Sequence, residues 1–215
     1  MAYKIVTIAD THGGFRFFYE EEPETLRMAF NGANAVILLG DLTREDVEFL
    51  FEICANIPVY GIQGNHDDPN VYDGFPVIDI SLTTMPLQNT GLKLTGIYGC
   101  VRYKEPAYQP FSMTQKESVD LAKRLDKVHI LISHDGPYNC CKHTSNRHKG
   151  LKGVTYYIKK NKPATVLFGH HHCNVSFQEG QTTCHGTYLL NSFVIDETTG
   201  KVLDRWEYDP MEEKK

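Results

Sequence analysis

The chain has 215 residues, 41% of them apolar and 23% charged. These are ordinary values for a globular protein long enough to bury a sizeable core, and they exclude disordered, collagen-like and low-complexity chains. The 22 Lys and Arg against 27 Asp and Glu leave a net charge of −5, which disfavours nucleic acid or an anionic membrane as a partner, since both need a basic face.

In chain order, residues 3–9 alternate as a β-strand that ends at Asp10 and passes into the loop signal Gly13-Gly14. A helix is expected over 21–31, with Pro23 in its first turn. Residues 35–39 form an apolar strand ending at Gly40-Asp41. Thr43 then reads as an N-cap, with Asp46 three residues on, for a helix through Val47, Leu50, Phe51 and Cys54. A third strand, 58–62, ends at Gly64-Asn65. Strands are expected over 78–82 and 92–101, a helix over 114–127, and a strand over 128–132 that stops at Ser133-His134. Residues 136–150 read as a loop, 150–160 as a helix and 164–168 as a strand running into Gly169-His170. The last forty residues read as a meander of strands with a hairpin turn at 196–200. Alternating strands and helices predict an α/β fold with a largely parallel first sheet. Without a repeat, linker or composition shift, residues 1–215 are expected to form a single domain.

The longest apolar run near the start, 5–9, is far below the ~20 residues of a spanning helix and too short for a secretory core. The expectation is a cytoplasmic protein. Its six cysteines, Cys54, Cys100, Cys140, Cys141, Cys173 and Cys184, contain no C-x-x-C pair and are expected to be reduced thiols. Adjacent in sequence, Cys140 and Cys141 suit neither a metal knuckle nor a redox motif. Cys173 directly follows a histidine triplet and is the one thiol expected near whatever that triplet binds.

Ten histidines are the distinctive part of the composition. Five polar clusters each follow a strand: Asp10-Thr-His12, Gly40-Asp41, Gly64-Asn65-His66-Asp67, Ser133-His134 and Gly169-His170-His171-His172. Ligands bind at the carboxyl ends of strands in open α/β sheets, where several loops converge. Any one cluster alone is better read as a polar turn; five together point to a metal site. Residues two apart in extended chain share a face, so Asp10 and His12 can reach one ion, while His170 and His172 can serve the same ion or neighbouring ones. Carboxylate and imidazole donors suit Mn²⁺, Fe²⁺ or Zn²⁺. The seven candidate ligands Asp10, His12, Asp41, Asn65, His134, His170 and His172 exceed the needs of one ion. They match two ions ~3.5–4 Å apart that share a carboxylate, with Asp41 the natural bridge.

The series Asp10-x-His12, Gly40-Asp41, Gly64-Asn65-His66-Asp67, His134 and Gly169-His170-x-His172 resembles the calcineurin-like metallophosphoesterases. That resemblance implies a four-layer α/β/β/α sandwich, two mixed β-sheets flanked by helices, holding two divalent ions (manganese first, with iron, zinc or nickel as alternatives). It implies that Asp10, His12, Asp41 and His172 bind one ion and that Asp41, Asn65, His134 and His170 bind the other. His66 is expected to act as general acid or positioning group, oriented by Asp67 and held as an imidazolium by it. The implied reaction is hydrolysis of a small phosphoester, a simple diester or cyclic nucleotide before a monoester, by attack of a metal-bridging hydroxide.

Gly40-Asp41-Leu-Thr-Arg-Glu lacks the G-D-x-x-D-R-G run of the Ser/Thr protein phosphatases, which separates the chain from them. The alternative is a non-catalytic binding scaffold like the retromer subunit on the same fold. It ranks lower because every ligand position and His66 are kept. A repair nuclease would need a basic surface. Outside the clusters, His129 is expected to pack in a strand, His171 to be the variable position between two ligands, and His185 to be structural. Lys142, Arg147 and Lys149, in a loop with His143 and His148, divide evenly between phosphate contact and a solvated face. Tyr103, Tyr108 and Phe111 are as well suited to packing as to a substrate wall.

Overall fold

The computed structural model describes residues 2–54, 56–105, 109–141 and 146–208. Strand β1 (Ala2–Ala9) turns Ile5 and Ala9 to one face and Val6 and Ile8 to the other, all four inaccessible to solvent. Strand β2 (Ala35–Leu38) repeats the division, with Ala35 and Ile37 on one side and Val36 and Leu38 on the other. Strands apolar on both faces need cover on both faces.

That cover fixes the layers. The first sheet has the order β14–β13–β1–β2–β3–β4, completed by β3 (Val59–Gly61), β4 (Val77–Asp79), β13 (Leu189–Asp196) and β14 (Val202–Glu207). Strands β1 to β4 run parallel, whereas β13 is antiparallel to β1 and β14 to β13. The second sheet, β11–β12–β10–β9–β6–β5, uses β5 (Met85–Pro86), β6 (Lys93–Ile97), β9 (Ile130–Ser133), β10 (Thr165–Phe168), β11 (Val175–Glu179) and β12 (Thr182–Gly186). The inner faces meet through Ile5, Ile37 and Tyr60 from one sheet and Leu94, Ile132 and Leu167 from the other. Helices α1 (Phe15–Glu20), α2 (Pro23–Phe30) and α3 (Arg44–Ile53) cover the first sheet's outer face with Phe15, Phe18, Leu26 and Leu50. Helices α4 (Gln115–Ala122) and α5 (Lys152–Asn161) cover the second with Ala122, Val154, Tyr157 and Ile158. A short pair, β7 (Cys100–Val101) and β8 (Ser112–Met113), stands beside it. This is the four-layer sandwich expected from the sequence.

Several boundaries differ from the expectation. The helix expected over 21–31 is present as α2, which begins at Pro23, and a further helix, α1, precedes it, separated from it by Glu21 and Glu22. Proline disfavours helical backbone in the residue before it, so a new helix starts there. Residues 15–20, given no element from the sequence, form α1 because Phe15 and Phe18, three apart, both bury against the sheet. The strand expected over 92–101 breaks at Gly99, whose φ is +63°. The helix expected over 114–127 ends at Ala122. The C-terminal strands are divided between the sheets, β11 and β12 in the second, β13 and β14 in the first. The Thr43–Asp46 capping box of α3 is present as read.

Two histidines are structural. His129 Nδ1 accepts from the Lys93 amide at 3.0 Å. His185 is buried, with Nδ1 2.6 Å from Ser176 Oγ, and burial, aided by Arg205, lowers its pKa from 6.5 to about 4. A depressed histidine pKa means that the unfolded chain binds the proton first as pH falls, so stability drops between pH 6.5 and pH 4 by up to about 3 kcal/mol. Urea denaturation at intervals from pH 7 to pH 4 should show a steeper loss in the wild type than in His185→Gln. Parallel curves would show that His185 carries no such linkage.

Candidate metal centre

The parallel strands of the two sheets deliver their carboxyl ends to one place. Asp10 follows β1, Asp41 follows β2, Asn65 and His66 follow β3, His134 follows β9, and His170 and His172 follow β10. Asp10, Asp41, His134 and His170 are buried, and one donor atom from each lies within 4.8 Å of the others. Asp10, His12 and His172 form a second such group, its two histidines exposed. The groups are contiguous: Asp41 Oδ2 is 3.5 Å from His134 Nε2 and 3.9 Å from His12 Nε2. His172 Nε2 is 3.6 Å from Asp10 Oδ1.

Backbone conformation aims these side chains. Asp10, His12, Asp41, His170 and His172 all have positive φ, between 47° and 64°. Such conformations cost non-glycine residues roughly 1–3 kcal/mol each and persist only where the surroundings enforce them. Here they turn the chain sharply as it leaves each strand. Close approach of the loops also requires glycine. A Cβ on Gly40 would lie 2.2 Å from the Gly64 nitrogen, and one on Gly64 would lie 2.2 Å from Asp41 Oδ1 and 2.7 Å from His134 Cε1.

Buried carboxylates outside the donor set brace the turns. Asp46 accepts from Thr11 Oγ1 and from the amides of Gly13, Phe15 and Thr43 at 2.8–2.9 Å, which ties the 10–14 turn to the start of α3. Asp67 accepts from the amides of Asp41, Leu42 and Gly64. The sequence reading of Asp67 is corrected by these contacts. Its oxygens are engaged by three backbone amides and not by the His66 ring. Burial and the charge of Asp41 push its pKa up to about 7. His66 is held in place instead by its own amide, which donates to Asp41 Oδ1 at 2.7 Å, and its ring meets the His12 ring edge-on at 5.5 Å. Partial desolvation sets the His66 pKa below the usual imidazole value despite the attraction of Asp41, which works against the expected imidazolium.

The donor set fits divalent ions on its own geometry. Ligands ~2.1 Å from one ion lie roughly 3.0–3.4 Å apart. His134 Nε2 is 3.1 Å from Asn65 Oδ1 and 3.5 Å from Asp41 Oδ2. The tautomer suits this, because His134 Nδ1 donates to the Leu39 carbonyl at 2.7 Å and Nε2 faces the carboxylates. His170 Nε2 likewise donates to the Arg147 carbonyl at 2.9 Å, leaving Nδ1 for an ion. Asp10 Oδ1 and Asn65 Nδ2 are buried with no hydrogen-bond partner among the described residues. Burial opposes a charge on His134, but Asp41 and Asp10 beside it raise its pKa to about 10. The carboxylates thus favour positive charge at His134, whether a proton or an ion supplies it. His134 in turn keeps Asp41 well below the usual carboxylate range in spite of its burial.

Some neighbours of the centre are not apparent in the sequence. Asp135, next to His134, is buried and accepts from the amides of Gly136 and Val101, with Oδ1 3.0 Å from His171 Nε2. His170 and His171 keep it ionised against the burial. His171 is thus a buried partner of Asp135, where the sequence suggests only a variable position. His148 places its ring 5.0 Å from that of His170. The Arg147 guanidinium lies over Tyr103 at 5.6 Å, while Phe111 packs against Tyr98. Lys149 is exposed. Tyr108, Lys142 and His143 lie outside the described residues.

Comparisons with known proteins agree with this geometry. Residues 3–192 match the family model of the calcineurin-like phosphoesterase superfamily domain. No curated protein gives a significant sequence match. Among solved structures, the chain is similar to the TT1561 protein of Thermus thermophilus, with TM-score 0.62 and 18% identity over 96% of this chain and 99% of that one. The phosphopantetheinyl hydrolase of Mycobacterium tuberculosis gives 0.61 at 13% identity, over 86% and 89%. A structure titled as a novel phosphatase from Mycoplasma pneumoniae gives 0.58 at 14%, over 100% and 97%. At these identities the likeness is one of fold. Among the described residues no helix is long and apolar enough to cross a membrane.

A methyl group at Gly64 would push directly on Asp41 and His134. Gly64→Ala should therefore weaken manganese binding by about 10–100-fold, the effect of losing support around a ligand. Gly91→Ala, where nothing lies within 4 Å of the added carbon, should leave it unchanged. Isothermal titration with Mn²⁺ compares the two, and equal affinities would show that the Gly64 contact is not needed.

Proposed function

The chain belongs to the calcineurin-like phosphoesterase superfamily, and on that premise we propose that it hydrolyses a small phosphodiester with two divalent ions, manganese first. In this reading Asp10, His12, Asp41 and His172 hold one ion, and Asp41, Asn65, His134 and His170 hold the other. The observation that carries it is the packing of the buried group Asp10, Asp41, His134 and His170 against the exposed pair His12 and His172. One set of donors faces inward and the other faces solvent, where a substrate must arrive. Asp41 would be the residue shared by the two ions; its Oδ2 faces His134 Nε2 and His12 Nε2, while Oδ1 accepts from the His66 amide.

Divalent ions in these positions neutralise the phosphoryl oxygens and make water acidic enough to supply hydroxide near neutral pH. The residues of the chain do the rest. Backbone carbonyls of Leu39 and Arg147 fix the tautomers of His134 and His170, so each presents a lone pair to the centre. His66 stands at the exposed rim on the amide hydrogen bond to Asp41. Its neutral ring still carries one N–H to donate to a phosphoryl oxygen, and its protonated fraction, a stronger acid than ordinary histidine, can protonate the leaving alkoxide. Arg147, whose carbonyl holds His170, lays its guanidinium over Tyr103.

Turnover of bis-p-nitrophenyl phosphate with Mn²⁺, beside p-nitrophenyl phosphate, tests the reading. Asp41→Asn should lose both manganese and turnover. His66→Ala should keep its manganese affinity while kcat falls by ~10²–10⁴-fold. Equal turnover by wild type and both variants would remove the proposal, and preference for the monoester would remove its diester part.

A further inference from the structure

A second group of donors lies beside the centre and has different chemistry. Cys140 Sγ is 3.7 Å from Cys141 Sγ and 3.8 Å from His171 Nε2. These donor atoms of Cys140, Cys141 and His171 lie within 4.8 Å of one another. Cys173 Sγ stands 4.0 Å from Cys141 Sγ. All six cysteines of the chain are thiols, and among the described residues these three are the ones that gather near a histidine. The sequence points only to Cys173 beside the histidine triplet, because the pair at 140–141 lies about thirty residues from the pair at 171 and 173. They meet because β9 and β10 are adjacent parallel strands whose following loops lie side by side.

Zinc in a tetrahedral site binds sulfur at ≈ 2.3 Å and imidazole nitrogen at ≈ 2.0–2.1 Å, so its ligands stand ~3.6–3.8 Å apart. The distances from Cys140 to Cys141 and to His171 have this spacing; Cys173 approaches Cys141 at 4.0 Å and stands outside the group of three, so it would have to move inward to complete the set. The geometry points to a third metal site, a soft one for a zinc-like ion, formed by Cys140, Cys141 and His171 with Cys173 as the fourth ligand. Thiolate and imidazole select such an ion over manganese or magnesium, whereas the carboxylate-rich centre next to it suits harder ions. On binding, each thiol and His171 Nε2 give their protons to solvent, and Nε2 exchanges its contact with Asp135 for the ion. The Asp135 carboxylate, held by the amides of Gly136 and Val101, stays close by to balance charge.

The site would brace the loop after β9 to the turn after β10. That loop carries Arg147 and His148, and the Arg147 carbonyl already holds His170. A soft ion would thus fix one wall of the candidate centre without taking part in its chemistry.

Cobalt reports thiolate ligands directly. Chelator-stripped, fully reduced protein titrated with Co²⁺ should develop a near-ultraviolet sulfur-to-cobalt band. The band should persist in Asp10→Asn, which breaks only the carboxylate centre, and vanish in the double variant Cys140→Ser, Cys141→Ser. Retained manganese affinity in the double variant shows that it is folded. A measurement without variants uses the wild type: saturating Zn²⁺ should protect Cys140 and Cys141 from alkylation, read by peptide mass spectrometry. No cobalt band in the reduced wild type, a band that survives the double substitution, or unchanged alkylation under zinc would each overturn the site.

Discussion

Two carboxylates with almost no access to solvent, Asp10 and Asp41, end adjacent parallel strands at the meeting of the sheets. Burying one ionised carboxylate without a partner costs several kcal/mol, and two side by side repel as well. Much of the surrounding structure offsets this cost. Asp41 accepts from the His66 amide and faces His134; Asp10 accepts from the His170 amide and faces His172. What remains unmet is Asp10 Oδ1, which has no hydrogen-bond donor among the described residues. His172 Nε2, its positive partner at 3.6 Å, stands beyond hydrogen-bond reach, which leaves room for a cation between them.

The same constraint explains where backbone strain accumulates. Ten non-glycine residues have positive φ among the described residues, and five of them are candidate ligands. A strand leaving a sheet in relaxed conformation would carry its side chains past the junction. The left-handed turn at Asp10, Asp41 and His170 bends each chain back over it. Asp46 and Asp67 hold two of these turns through seven hydrogen-bond donors between them, six of them backbone amides. Neither is a ligand, and each determines where ligands point.

Legibility in the sequence follows the range of the interaction. The ligand positions can be read because each lies directly after an apolar strand, and strand ends are local features. The layers can be read because Ile5, Val6, Ile37 and Leu38 show burial on both faces within a few residues. The partners of Asp67 and Asp135 cannot. Asp67 is next to His66 in sequence, which suggests pairing, yet its amide donors Asp41 and Leu42 come from another strand's loop, about twenty-five residues away. Helix α1 was hidden because six residues rich in aromatics give little helical signal, and only packing of Phe15 and Phe18 on the sheet decides it. The thiol group was hidden for the same reason as Asp67, since its members meet only through β9–β10 pairing.

His134 joins these threads. It is fully buried, yet Asp41 and Asp10 raise its affinity for a proton far above that of an ordinary imidazole. A group that binds a proton this firmly at Nε2 does so because the site demands positive charge there. Nδ1 is committed to the Leu39 carbonyl, so that demand can be met only by a proton or by an ion at Nε2. The two exclude each other, which makes metal binding a displacement of the proton and ties metal affinity to pH. The carboxylates that make the site costly to fold without a cation are thus the ones that make it avid for one.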